Sequence, residues 1–186
     1  MKKILFTLLI TGTVILNGCG GVLGGMSDEE IYENFCDGTM TVNDIDKGST
    51  KIVGQTEGRK FEQKDGVAKT VRDKIDYLTL YNIEINTEEK KCEYPDWDEV
   101  GEYEWVEIDF TSEIKDGTKE GVLYSFEDMK ARGKAGNNSS NMKLDKKSEV
   151  ILDKISDERL EGRTVLCGET FEDGFIVGGF STIVCD

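Results

Sequence analysis

The 186-residue chain predicts an α+β domain, mainly antiparallel β and sandwich- or meander-like, with one or two short helices and disulfide bracing. Three observations point there. Short runs of β-branched and aromatic residues recur between turns rich in Gly, Asp and Asn. Only one or two helices are signalled between them. Cys36, Cys92, Cys167 and Cys185 make an even set whose spacing fits neither a zinc knuckle nor a CxxC redox motif.

In chain order, the helical signal comes first. Ser27 reads as an N-cap and Glu30, three residues on, completes a capping box. Ile31 and Phe35 lie four apart on one face and Asp37-Gly38 stops the run, which predicts a helix over 28–36 with Cys36 at its end. Strands are then expected at 39–42 and 50–53. The segment 67–75 fits both periods: Val67, Val71 and Ile75 keep helical spacing, while Val67 to Val71 reads as a strand. Residues 77–85 alternate, with Tyr77, Thr79, Tyr81, Ile83 and Ile85 on one side. Residues 103–111 set Val106, Ile108 and Phe110 against Glu107 and Asp109, with Tyr103 and Trp105 on the polar side. Asp116-Gly117 predicts a hairpin pairing 103–112 with 119–126.

Residues 133–141 read as a polar loop. Across 146–160 helix and strand both fit, with Leu144, Ile151, Ile155 and Leu160 able to line a helix ended by Gly162. The tail is β again at 163–167, 175–177 and 181–185. Asp173-Gly174 and Gly178-Gly179 are both candidates for its turn.

The N-terminus carries a different signal. Lys2 and Lys3 precede an apolar run from Ile4 to Leu16, the layout of a secretory leader. That run is short of the ~20 apolar residues a spanning helix needs. It closes on Leu16-Asn17-Gly18-Cys19. This stretch resembles the lipobox of bacterial lipoproteins. The resemblance implies acylation of Cys19, removal of residues 1–18 and anchorage to a membrane by lipid. It covers residues 1–19 alone. Residues 19–26, with Gly20, Gly21, Gly24 and Gly25, are expected to be a flexible tether, with Val22 and Leu23 able to brush the membrane interface, and 27–186 a single soluble globular domain. Gly20 after the cysteine, rather than Asp, implies passage to the outer membrane of a bacterial envelope. With Cys19 spent on lipid, the four other cysteines of an exported chain are expected to form two disulfides. Three connectivities exist. Short loops close more readily, which favours Cys167–Cys185 with Cys36–Cys92.

Composition narrows the function. The chain has 23 Lys+Arg against 38 Asp+Glu, a net charge of −15, and loses two further positive charges with the leader. Such a surface repels nucleic acid and suits solubility or a basic protein partner. Histidine is absent, which removes the usual base of Ser-His-Asp and Cys-His catalysis and the commonest zinc ligand. No catalytic residues are assigned and the chain is not read as an enzyme.

Asp96-Trp97-Asp98-Glu99-Val100-Gly101 is the one stretch that resembles a cation loop. It puts acids at positions 1 and 3, glycine at 6 and Glu107 at 12, but Val100 has no side-chain oxygen for position 5. An irregular calcium site on Asp96, Asp98 and Glu99 is the cofactor alternative to none at all. Tyr94, Trp97, Tyr103 and Trp105 lie among those acids and form the candidate binding set, an aromatic cluster suited to an interface around a basic anchor. Equally, they supply one packed face of a sheet. The reading is therefore an envelope-anchored acidic lipoprotein acting by protein–protein interaction. A cation- or solute-binding lipoprotein and a structural envelope protein are the alternatives.

Overall fold

The computed structural model describes residues 22–56, 58–71, 74–82, 92, 104–110, 117–135, 138–169 and 174–185. Helix α1, Asp28–Tyr32, starts as its sequence dictates: the Ser27 hydroxyl accepts from the Glu30 amide at 3.3 Å, and Glu30 Oε2 accepts from the Ser27 amide at 2.7 Å. The helix then widens into one π-type turn, Glu33–Asp37, which buries Phe35 and Cys36 before Gly38 ends it. Residues 39–42, expected as a strand, lead into a 3₁₀ turn at Val42–Asp44. Thr41 caps that turn and Asp44 Oδ2 accepts from the Thr41 amide at 2.7 Å, so a second capping box outweighs local β propensity.

The rest is sheet. The strands are β1 Ile52–Thr56, β2 Arg59–Glu62, β3 Asp65–Val71, β4 Lys74–Tyr81, β5 Trp105–Asp109, β6 Leu123–Ser125, β7 Lys130–Ala135, β8 Asn138–Met142, β9 Glu149–Ile155, β10 Arg159–Cys167 and β11 Phe175–Cys185. Their hydrogen-bonded order is β6-β9-β10-β11-β3-β4-β5-β7-β8, with β1 bridging β11 and β2. β11 is the spine: its residues 175–183 lie along β10, its first residues pair with β1 and its last with β3. The β11–β3 pairing is parallel and every other is antiparallel. The fold is thus mainly sheet with one short α-helix among the described residues, and mixed rather than purely antiparallel.

One face of this sheet closes on itself. Val150, Leu152, Leu160, Leu166, Ile176 and Phe180 from β9–β11 share one buried cluster with Leu78, Leu80, Val106, Ile108 and Ala131 from β4, β5 and β7. Burial of each such side chain is worth about 1.5–3 kcal/mol. A second cluster forms on the outer face, where Ile31, Phe35, Val42 and Ile45 cover Val165, Cys167, Phe175 and Val177.

Several expectations give way to this topology. The two-period segment 67–75 is β3 and the start of β4. A register shift between Lys69 and Thr70 sets Lys69 opposite Tyr77 but Thr70 opposite Ile75, and flips the inward set from Ile75 to Leu78 and Leu80, which is why no single period fits. Residues 146–160 form no helix: β9 is buried on both faces, so Val150-Ile151-Leu152 lacks the alternation that marks a strand. Among the described residues, the expected partners 103–112 and 119–126 do not pair. β5 lies between β4 and β7, while β6 pairs with β9. In the polar stretch expected as a loop over 133–141, residues 133–135 and 138–141 are instead paired strand of β7 and β8.

Gly178-Gly179 is a crossing, not a turn. The chain at 49–51 runs over these two residues so closely that a Cβ on Gly179 would stand 2.1 Å from the Ser49 carbonyl oxygen, and one on Gly178 2.1 Å from that of Lys51. β11 therefore continues unbroken, and the turn lies between Cys167 and its cross-strand partner Phe175. This register overturns the expected disulfides. Cys167, on β10, sits opposite the beginning of β11 and Cys185 at the end of β11, about 33 Å away along a straight strand. The bridges are Cys36–Cys167 and Cys92–Cys185, with Cα separations of 5.5 and 5.4 Å. Loop-closure entropy favours a short loop only when geometry brings the two cysteines within reach, and β pairing here does not.

The expected tether is also shorter than its glycines suggest. Leu23 is 6% exposed and joins the outer-face cluster of Ile31, Phe35 and Val177, with Val22 and Met26 packed against it.

Candidate functional site

The acid- and aromatic-rich segment after β4 remains the candidate, and its two ends are described. Asn82 follows β4 and Glu104 precedes β5, where Tyr81 faces Trp105 across the pair. The Asn82 amide donates to the Glu104 carbonyl at 3.2 Å and the Glu104 amide to Asn82 Oδ1 at 3.2 Å. Asn82 Nδ2 donates to Glu104 Oε2 at 3.0 Å. These three bonds clasp the residues on either side of 83–103. Between them, Cys92 is bridged to Cys185 on the outer face of β3–β5. Spacing alone gives no hint of this clasp, because its partners lie 22 residues apart.

Of the sequence-predicted site residues, Tyr94, Asp96, Trp97, Asp98, Glu99 and Tyr103 lie outside the described residues, as does Cys19. Trp105 is described, and it is a packing residue: 3% exposed, it clusters with Val67, Tyr81 and Cys185. The Arg132 guanidinium lies 5.7 Å from its ring centroid. Arg132 also contacts Glu107 Oε1 at 2.7 Å through both Nε and Nη2. Glu107, position 12 of the calcium-loop alignment, is buried on a strand and held by an arginine, which leaves no EF-hand helix for it to begin. Trp105, Glu107 and Arg132 thus form a rigid floor beside the bridged cysteines.

Two clefts open elsewhere. One of about 310 Å³ lies beside the Cys36–Cys167 bridge, between Asp37, Asp145, Lys146, Lys147 and Glu169. Its charges are engaged in part: Lys147 Nζ donates to the Gly38 carbonyl at 2.7 Å, and Glu169 pairs with Lys143 at 2.6 Å. The other, of about 130 Å³, lies where 48–50 approaches Asp153, Glu161 and Phe180. There Asp153 is committed to Arg163. Among the described residues no group of three His, Cys, Asp or Glu is placed to hold a metal ion. Nor is any described helix long and apolar enough to cross a membrane.

Among the described residues two groups are shifted. The Ser27 amide, and secondarily its hydroxyl, hold the Glu30 carboxyl below the usual glutamate range. Burial pushes the Tyr124 phenol up, against a lowering hydrogen bond from the Lys119 backbone. Both bonds are local and structural. Comparison of the chain with protein-family models, with curated proteins and with solved structures finds no match in any of the three.

Proposed function

We propose that this chain is a lipid-anchored envelope protein that acts by binding another protein, a basic one, through the segment 83–103. The observation that carries this reading is the anchoring of that segment. A stretch holding Tyr94, Asp96, Trp97, Asp98 and Glu99 is clasped by Asn82 and Glu104 and bridged through Cys92 to the sheet. Fixing the ends of an interaction loop lowers the ordering cost of binding. The net charge of −15 supports a cationic partner, since opposite charge steers association and raises its rate. The Leu16-Asn17-Gly18-Cys19 stretch supports anchorage through acyl chains on Cys19.

Affinity capture tests it. The oxidised chain is used as bait against envelope extract and a panel of basic proteins, at low and at physiological salt. A single partner retained at physiological salt and lost from a D96K/D98K/E99K variant is the expected result. Indiscriminate, salt-labile capture of every basic protein, unchanged in that variant, would reduce the charge to a means of solubility.

A further inference from the structure

We infer that, in the acylated protein, the domain is seated directly on the bilayer by the end of the sheet where β11 begins, and holds the Cys92 end away from it. The inference rests on acylation of Cys19 and goes beyond it. A lipid on a long glycine tether would let the domain swing freely, but Leu23 removes most of that tether. Its side chain is buried with Ile31, Phe35 and Val177, and Val22 packs beside it. From Cys19 to Val22 there are three Cα steps, at most about 11 Å of chain. The acyl-bearing residue therefore cannot stray further than that from the folded body.

The position of Leu23 sets which end is held down. α1 and its π-type turn lie over the first residues of β11: the Tyr32 ring meets that of Phe175 edge-on at 5.8 Å, and Cys36 is bridged to Cys167, the cross-strand partner of Phe175. Cys185 closes the other end of β11, ten steps or about 33 Å along a straight strand. The two disulfides thus mark a membrane-proximal and a membrane-distal end. Charge does not draw the proximal end down, because α1 and the turn after it present Glu29, Glu30 and Glu33 to solvent. The short covalent link does.

The test uses the full chain, made with its leader in a bacterium and recovered from the membrane fraction. The mass of its N-terminal peptide reports whether Cys19 carries acyl chains. The acylated protein is then placed in phosphatidylethanolamine–phosphatidylglycerol vesicles containing a headgroup quencher, with a fluorophore at E29C or at E158C. Glu29 lies on α1, and Glu158 lies at the far end of β11, its carbonyl accepting from the Val184 amide at 3.0 Å. Quenching at E29C several-fold above that at E158C is expected. Inserting twelve Gly/Ser residues between Gly21 and Val22 is expected to erase the difference. Neutron reflectivity of the unlabelled protein on a supported bilayer, which needs no new cysteine, is expected to show protein density beginning at the headgroups, and a water gap with the insertion. Equal quenching at the two sites and a water gap in the acylated parent protein would overturn the seating alone. A Cys19 without acyl chains would overturn the lipid-anchor reading and the seating with it.

Discussion

Arg163 and Asp153, on neighbouring strands β10 and β9, form a two-point ion pair, with Nε–Oδ2 and Nη2–Oδ1 both at 2.7 Å. Arg163 is 3% exposed, and its Nη1 donates to the carbonyls of Val42 at 3.2 Å and Ile45 at 3.0 Å. One side chain therefore binds a carboxylate, the Ile45 carbonyl just after the 3₁₀ turn and the Val42 carbonyl, which also accepts from the Ile45 amide at 3.4 Å, and so holds that turn against the sheet.

Removing it strands the Asp153 carboxylate and takes a donor from the Val42 and Ile45 carbonyls, of which Val42 keeps the Ile45 amide. R163M is expected to lose about 3–5 kcal/mol of stability, the usual cost of breaking a buried pair from one side. Urea unfolding under oxidising conditions measures it. The double variant R163M/D153L is expected to recover part of the loss, since it removes the stranded carboxylate as well. A loss below about 1 kcal/mol in R163M would mean that water replaces the guanidinium and that the turn is held by its apolar contacts instead.

The crossing at Gly179 makes a different kind of demand. A Cβ there meets backbone, not the movable tip of a side chain, so G179A must push the 49–51 segment off the sheet or bend β11. A cost of roughly 1–3 kcal/mol is expected. Gly48 offers the contrast: its φ of +79° strains any other residue, but nothing lies within 4 Å of a Cβ there. G48A is expected to cost only the left-handed penalty of about 1–2 kcal/mol and to leave amide exchange in β11 unchanged. Faster exchange across 176–180 in G179A but not in G48A separates the two effects.

These two sites also show what the sequence discloses and what it withholds. The α1 cap is legible because Ser27 and Glu30 are three residues apart and recognise each other locally. Alternation in β5 is legible because one face meets the core and the other carries charge. β9 was not legible, since burial on both faces erases the period. The disulfide pairing failed for a related reason. It depends on Gly178-Gly179 being a crossing, a fact set by Ser49 and Lys51 more than 120 residues earlier in the chain. The candidate site divides the same way: its acids and aromatics stand out in sequence, whereas the Asn82–Glu104 clasp and the burial of Trp105 arise only from pairing β4 with β5.

Acid is expected to loosen α1 before the sheet. The Ser27 amide and hydroxyl both stabilise ionised Glu30, so its folded-state pKa lies below the unfolded one. Stabilisation is then fully present above the unfolded value and is lost as pH falls through the lowered folded value. The window opens below the ordinary glutamate value of about 4.3. Amide protection at 30–32, taken against the intrinsic exchange rate at each pH, is expected to fall there in the parent protein. In E30Q protection is expected to be lower at neutral pH and flat through the same range. An identical acid response in E30Q would assign the loosening to other carboxylates.

Calcium distinguishes the protein-binding reading from its cation-binding alternative. Asp96, Asp98 and Glu99 are hard oxygen donors, and a site built on them would stabilise the folded chain by mass action. With Glu107 held by Arg132 rather than free to ligate, millimolar calcium is expected to leave the thermal midpoint within a degree of its value in chelator. A rise of several degrees that is lost in D96N/D98N would favour a cation site on this loop.

The Cys92–Cys185 bridge should be separable from the fold it is attached to. It joins the end of β11 to a segment whose ends are independently clasped, while Cys36–Cys167 braces the opposite end among the residues of the outer cluster. In C92S/C185S, exchange of the Asn82 and Glu104 amides is expected to quicken, because Cys92 is no longer tied to Cys185 beside Val67, Tyr81 and Trp105. Exchange across 150–152 and 164–166 is expected to stay at the parent rate, since those strands are held by the main core and by the other bridge. C36S/C167S should do the reverse and speed exchange in α1 and around Val165. If C92S/C185S instead accelerates every strand together, the bridge supports the whole sheet. The segment 83–103 would then be structural, and an interaction surface would have to be sought away from it.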